Sequence, residues 1–194
     1  MEKKPTLSIL ICTIEGREPF LESLKYNIAR QMFRFKMIDG ADIEVVISKD
    51  KRGEHKIGMK RNALLQSCKG EWACFIDDDD QISDDYLVNA LSILKTQNPD
   101  CINMIGWMTT NGMNGETFIH ELKHKEYFTK DGIHYRPPNH LNIIRTAIGK
   151  QFTFPEINHG EDTAWAMDLC RSGLLKTEGR IEKIVYYYQY IPNK

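Results

Sequence analysis

At 194 residues, with 41% hydrophobic and 27% charged, the chain has the length and composition of one compact globular domain with a real core. Its 26 basic and 27 acidic residues leave a net charge of −1, which argues against attachment to nucleic acid through bulk positive charge. No apolar stretch is long enough to span a bilayer. The charged start Met1-Glu2-Lys3-Lys4-Pro5 lacks the pattern of a signal peptide, and the five scattered cysteines (Cys12, Cys68, Cys74, Cys101, Cys170) read as reduced residues of a cytoplasmic protein.

In chain order, Thr6 to Thr13 is an apolar run that predicts a buried strand, ending in the polar turn Thr13 to Arg17. Phe20, Leu21, Leu24, Ile28 and Met32 recur at helical spacing, with Glu22, Lys25 and Arg30 on the other face. Ile43 to Ser48 predicts a second strand that opens into the charged loop Lys49 to Glu54. Gly58 to Cys68 reads as a helix with Gly70 as its stop. Trp72 to Ile76 is a third buried strand, and it runs straight into four aspartates, Asp77 to Asp80. Ser83 is an expected N-cap, with Asp84 and Asp85 in the first turn of a helix that runs to about Thr96 and is closed by Asn98-Pro99. Beyond it, Ile102 to Met108 is a strand. Asn111-Gly112 and Asn114-Gly115 are hairpin-turn signals, residues 117 to 140 have no clear period, and Pro137-Pro138 breaks any helix there. A helix is expected from Gly160-Glu161-Asp162 to Ser172, stopped by Gly173, and a last strand from Ile181 to Tyr190.

Strand, helix, strand, helix, strand over the first eighty residues predicts an α/β fold with a mostly parallel, Rossmann-like sheet and helices on both faces. Ligands of such sheets bind beyond the carboxyl ends of the strands. Three loops with polar or charged residues, around Glu15 to Arg17, Ser48 to Arg52 and Asp77 to Asp80, are therefore expected to converge on one edge. Four adjacent carboxylates repel one another unless a positive partner or water intervenes. A hard divalent cation carrying substrate phosphates is one solution; an acidic loop leading to the next helix is the other. If strand geometry persists, Asp77 and Asp79 share a side, which leaves Asp78 and Asp80 as turn formers.

The first strand, Lys60-Arg61-Asn62-Ala63, Gly70 to Asp80 and Gly160-Glu161-Asp162 together, in that order, resemble a family 2 glycosyltransferase of the GT-A fold from about residue 6 to residue 175. The resemblance implies one domain. Residues 6–107 would bind the nucleotide sugar, usually UDP-linked, and residues 108–194 would form a smaller acceptor-side region with the catalytic base. It implies Mn²⁺ or Mg²⁺ at Asp79 and Asp77, with Asp77 and Asp78 also counted among the donor-binding residues. Thr13, Glu15 and Arg17 fall where the family meets the base and ribose, and Asp50 where it meets uracil. Lys60, Arg61 and Asn62 match donor contacts at a helix start, where cations and free N–H groups favour phosphate. Asp162 matches the general base of an inverting transfer, with Glu161 beside it. The first loop departs from the family in carrying Glu15-Gly16-Arg17 where Asn usually precedes Arg.

Plainer roles compete at several positions. Acids are favoured at helix N-termini by roughly 0.3–1 kcal/mol, which alone could account for Glu161 and Asp162. His140 and His159 lack the family's context for a metal-binding histidine and read as structural or solvated. Tyr186 to Tyr188 reads as strand packing, and Trp165 as core. Two other function classes remain: a non-catalytic sugar-nucleotide-binding module on the same fold, and a nucleotidyltransferase, for which the single Gly16-Arg17 is a poor phosphate loop. The acceptor stays open among glycan, lipid-linked saccharide, protein and modified DNA base.

Overall fold

A computed structural model describes residues 4–38, 40 and 42–190; Met1 to Lys3, part of the charged start, lie outside the described residues. Strand β1 (Leu7–Ile14) alternates its side chains between two cores, as a strand buried on both faces must. Leu7, Ile9 and Ile11 point to one core, where helices α1 (Glu18–Arg34) and α3 (Tyr86–Gln97) supply Leu21, Leu24, Ile28, Leu87, Leu91 and Leu94. Leu10 and Cys12 point to the other, where α2 (Ile57–Ser67) and α5 (Glu161–Ser172) supply Leu64, Leu65, Trp165 and Leu169. Each such fully buried aliphatic side chain favours the fold by about 1.5–3 kcal/mol over exposure.

β1 pairs in parallel with β2 (Ile43–Asp50) on one side and β3 (Trp72–Phe75) on the other. Beyond β3 the sheet continues with β10 (Ile144–Arg145), which is antiparallel, then β5 (Cys101–Ile102) and β11 (Glu178–Gly179). The expected mostly parallel, doubly wound sheet is thus present. A short helix, α4 (Thr146–Gly149), follows β10 directly.

The second half builds a second six-stranded sheet that the period-free stretch did not announce. Its order is β4 (Gln81–Ile82), β12 (Tyr186–Tyr190), β6 (Met104–Thr110), β7 (Met113–His120), β9 (Ile133–Arg136) and β8 (Phe128–Lys130). The expected strand from Ile102 is two strands in different sheets. Asn103 separates them, its side chain bonded to the backbone of Ile181 through both Nδ2 and Oδ1. Only the first Asn-Gly pair is the turn: Asn111 and Gly112 both have positive φ, as a tight hairpin requires. Asn114, also at positive φ, lies inside β7, opposite the register shift at Met108 and Thr110. The β8–β9 hairpin turns on Asp131-Gly132, an Asp-Gly turn signal set within a polar stretch.

Three boundary expectations are corrected. Gly70 does not stop α2; Cys68 leaves the helix in extended conformation. Gly70 is instead a close approach to β1, since a Cβ there would sit 2.4 Å from Ser8 Oγ and 2.6 Å from Ser8 N. Ser83 does not cap α3. Gln31 of α1 does so from across the core, accepting from Leu87 N at 3.0 Å and donating to Ser83 O at 2.9 Å. The last strand begins at Tyr186 rather than Ile181. Gly173 ends α5 in left-handed conformation as expected. Among the described residues no helix is long and apolar enough to cross a membrane.

Candidate active site

The parallel register brings the ends of β1, β2 and β3 to one edge of the first sheet. Thr13, Asp50 and the aspartate run meet there. Asp77 to Asp80 form a turn closed by Asp80 N donating to Asp77 O at 3.1 Å. Asp78 faces inward and is buried. It accepts from Thr13 Oγ1 at 2.6 Å and from Arg17 Nε and a terminal Arg17 nitrogen at 3.0 and 2.7 Å. The same guanidinium reaches Asp79 Oδ2 at 2.8 Å. Burial works against the charge on Arg17, but Asp78 and Asp79 outweigh it and hold its pKa above the ordinary value. Asp80 is buried too and accepts from the Tyr186 hydroxyl at 2.6 Å; that oxygen in turn accepts from Asp77 N at 3.3 Å. The turn role expected of Asp78 and Asp80 is therefore accompanied by anchoring from β1, α1 and β12.

The start of α2 places two buried cations against this edge. Lys60 donates to Asp50 and to the carbonyl of Thr13. Burial alone would raise the pKa of Asp50, yet the Lys60 ammonium and His55 bring it below the ordinary value. Arg61 lies over the Phe75 ring at 5.2 Å. It spans the two halves of the molecule, 3.2 Å from Asp77 Oδ1 and 3.2 Å from Glu161 Oε1. Desolvation pushes Asp77 toward the neutral form, but Arg61 and then His140 overcome it and hold its pKa well below the carboxylate range. Asn62, one position on, is turned away from this edge. Its amide donates to Phe154 O at 2.9 Å and accepts from Phe154 N at 2.8 Å, which pins the segment leading to α5. Glu15 is exposed beside the site, with its backbone N–H on Asp50 O at 2.8 Å.

Gly160, at φ 82°, turns the chain into α5 and aims Glu161 and Asp162 at the site. Glu161 is buried against Arg61, whereas Asp162 keeps 32% of its side chain exposed. Thr163 N donates to Asp162 Oδ1 at 2.7 Å. His140 lies between Asp77 and Asp162, and His159 is exposed. Two tyrosines also respond to these charges: Tyr127, which no motif singles out, and Tyr188, expected as strand packing. Burial, and then the Asp162 charge, raise the pKa of Tyr127. Tyr188 is pushed up to about 12 by burial and then by Asp80, Asp77 and Asp79. The period-2 alternation of the last strand was the available signal for Tyr186 and Tyr188; nothing marked Tyr127.

Seven carboxylates (Asp50, Asp77, Asp78, Asp79, Asp80, Glu161 and Asp162) gather here against three permanent cations, Arg17, Lys60 and Arg61. The acid excess and the all-oxygen donor set fit a hard divalent ion, and within the aspartate run Asp77 and Asp79 are partly exposed while Asp78 and Asp80 are buried. Among the described residues, the one triplet of potential ligands close enough to share an ion is Asp50, Glu54 and His55, and Lys60 already occupies Asp50. A groove of about 1380 Å³ lies at the opposite strand ends around Thr6, Glu44 and Gly70, away from this chemistry.

The family model described as glycosyl transferase family 2 matches residues 42–167, a span that contains the Asp77 to Asp80 turn and the Glu161-Asp162 pair. The chain belongs to this family. Its fold is that of the family's GT-A members. Residues 1–349 of TarS from S. aureus superpose with a TM-score of 0.65 at 19% identity, covering 95% of this chain and 60% of that one. TarS in complex with UDP-GlcNAc gives 0.65 at 19%, covering 97% and 60%. The mannosyltransferase PcManGT from Pyrobaculum calidifontis, in complex with GDP-Man and Mn2+, gives 0.57 at 14%, covering 95% and 56%. The family 2 chain thus spans about 60% of the length of the TarS structures it resembles. No curated protein matches it by sequence.

Proposed function

We propose that the chain transfers a sugar from a nucleotide diphosphate sugar, UDP-linked, to an acceptor hydroxyl with inversion at the anomeric carbon. The observation that carries this reading is the approach of Glu161 and Asp162, from the second half of the chain, to Asp77 at the strand ends. Arg61 links Asp77 to Glu161, and His140 lies between Asp77 and Asp162. The binding of UDP-GlcNAc by TarS and of GDP-Man with Mn2+ by PcManGT supports the donor class.

Thr13, Glu15, Arg17 and Asp50 line the nucleotide side. Lys60 and Arg61 face the diphosphate, and Asn62 serves by holding the Phe154 segment. Asp79 and Asp77 would hold Mn²⁺ or Mg²⁺, which would supply positive charge to the leaving diphosphate. Asp162, partly exposed and fixed at Oδ1, takes the proton of the acceptor hydroxyl. The hydroxyl oxygen bonds to the anomeric carbon as that carbon's bond to the diphosphate oxygen breaks, and the nucleoside diphosphate leaves with the electron pair. A single base with in-line attack gives inversion.

A thermal-shift titration with UDP, UDP-N-acetylglucosamine and GDP-mannose, in Mn²⁺ or in EDTA, tests the reading. A ligand at a hundred times its Kd adds about 2.7 kcal/mol, which for a domain of this size raises Tm by roughly 5–11 °C. The rise is expected only with metal present and is expected to vanish in Asp79→Ala. No metal-dependent rise with any of the three nucleotides refutes it.

A further inference from the structure

His140 follows Pro137-Pro138 and is held in place by its own backbone, whose carbonyl accepts from Phe75 N at 2.9 Å. Its ring is 5% exposed and tilts against Phe75, with centroids 6.1 Å apart. Two carboxylates from different halves of the chain flank it. Nδ1 is 3.7 Å from Asp162 Oδ2, and Nε2 is 3.9 Å from Asp77 Oδ2. Neither nitrogen makes a hydrogen bond among the described residues.

An unbonded buried polar group costs about 1–3 kcal/mol, and an apolar side chain at this position would avoid that cost. The other buried histidine of this region has one nitrogen engaged, His120 Nδ1 lying 3.1 Å from Asn142 Oδ1 with Nε2 unbonded, whereas both nitrogens of His140 are unbonded. An imidazole kept unbonded beside Asp162 indicates a partner acquired at another stage of the reaction cycle. Hydrogen bonds at catalytic centres are often long in ligand-free structures and tighten only with substrate in place.

We propose that His140 is a positioning residue for the Asp162 base: its Nδ1–H donates to Asp162 Oδ2 in the substrate-bound state. Thr163 N already holds Oδ1. A second donor on Oδ2 fixes the carboxylate plane. A carboxylate offers about four lone-pair sites, so two remain for the acceptor proton. His140 in this role also joins the donor-side carboxylate Asp77 to the acceptor-side carboxylate through one rigid ring. The inference rests on the glycosyl-transfer reading above, in which Asp162 is the base.

Two substitutions separate the ring's two contacts. The amide nitrogen of asparagine occupies about the place of Nδ1, and that of glutamine about the place of Nε2. Hydrolysis of UDP-N-acetylglucosamine in Mn²⁺ is measured for wild type, His140→Asn, His140→Gln and His140→Phe, alongside Tm and crystal structures. Loss of a residue that orients a site's reactive group costs on the order of 10- to 100-fold in activity. That loss is expected in kcat for the Gln and Phe variants, with KM for the donor little changed, while His140→Asn retains most of the turnover. Crystals grown with UDP-N-acetylglucosamine and Mn²⁺ are expected to show the Asp162 carboxylate of His140→Phe rotated from its position in the wild-type complex. Equal losses in the Asn and Gln variants, or full turnover in His140→Phe, overturn the inference. If wild type itself gives no turnover, the proposed function fails on that count. The Asp162 position then decides the inference separately, since an unmoved carboxylate in His140→Phe overturns it.

Discussion

Tyr186→Phe removes one oxygen atom and tests whether β12 holds the aspartate turn in place. The hydroxyl is fully buried; it donates to the Asp80 carboxylate at 2.6 Å and accepts from Asp77 N at 3.3 Å. The first contact has the short length of a charge-assisted bond, a class that contributes about 1.5–3 kcal/mol. The second is long and adds on the order of 0.5 kcal/mol. The ring keeps its packing, with Phe118 6.4 Å away edge-on, so no cavity larger than the lost oxygen opens. The expected loss is therefore about 2–3.5 kcal/mol, or roughly 4–14 °C in Tm for a chain of this size. Urea unfolding followed by circular dichroism reads the stability, and Mn²⁺-dependent UDP binding reads the turn. Both are expected to weaken, because the bonds removed are those that fix the backbone of Asp77 and the side chain of Asp80. A variant within 0.5 kcal/mol of wild type, the usual range of surface substitutions, would show that the turn holds its shape without β12, and the reasoning would be wrong.

Three further outcomes are expected. Gly58→Ala puts a Cβ 1.8 Å from Pro155 O and 2.9 Å from its carbonyl carbon, so the segment before α5 must move; overpacking of this kind costs about 1–3 kcal/mol, and kcat is expected to fall because Glu161 and Asp162 shift with it. Lys60→Met strips Asp50 of its buried partner at a cost of about 3–5 kcal/mol in urea unfolding, against little change for Lys49→Met, whose partner Glu18 lies half-exposed on the surface. Burial and then Arg136 lower the pKa of His120 from its ordinary 6.5 to about 3. The unfolded chain therefore binds one more proton than the fold between those values, and stability that is full above pH 6.5 falls by about 1.4 kcal/mol per unit as pH drops through that window. Urea midpoints at pH 7 and pH 5 are expected to show this slope, and His120→Asn to flatten it.

The first half of the fold was legible because its signals are local. β1 is apolar at every position that touches either core, and each of the first three strands runs into a polar turn or charged loop, so order and edge could be read from a window of ten residues. The second sheet was not legible for a physical reason. β12 pairs with β6 in parallel, and β7 pairs with β9 in parallel, so no short turn joins them, and β8 and β9 are only three and four residues long. The gathering of Asp77 with Glu161 and Asp162 follows from the resemblance, but not from the spacing of these residues. His140 could not be assigned from sequence because its meaning lies in two neighbours, one 63 positions before it and one 22 positions after it. Gln31 illustrates the same limit: a glutamine on a helix face gives no hint that it caps another helix 56 residues on.

The insertion of β10 between β3 and β5 has a consequence for how the protein comes off the ribosome. β3 gains its outer neighbour only when Ile144 and Arg145 are made, some seventy residues after it, and β5 gains β11 only at Glu178 and Gly179. Until then the growing chain carries an apolar strand with an unpaired edge, a surface prone to join the same strand of another nascent chain. The sheet therefore closes only once the chain has been made through β11, a stretch that also contains α5 and its two acids. A translation pause placed before residue 144 is expected to yield more aggregate than one placed after β12 has been made.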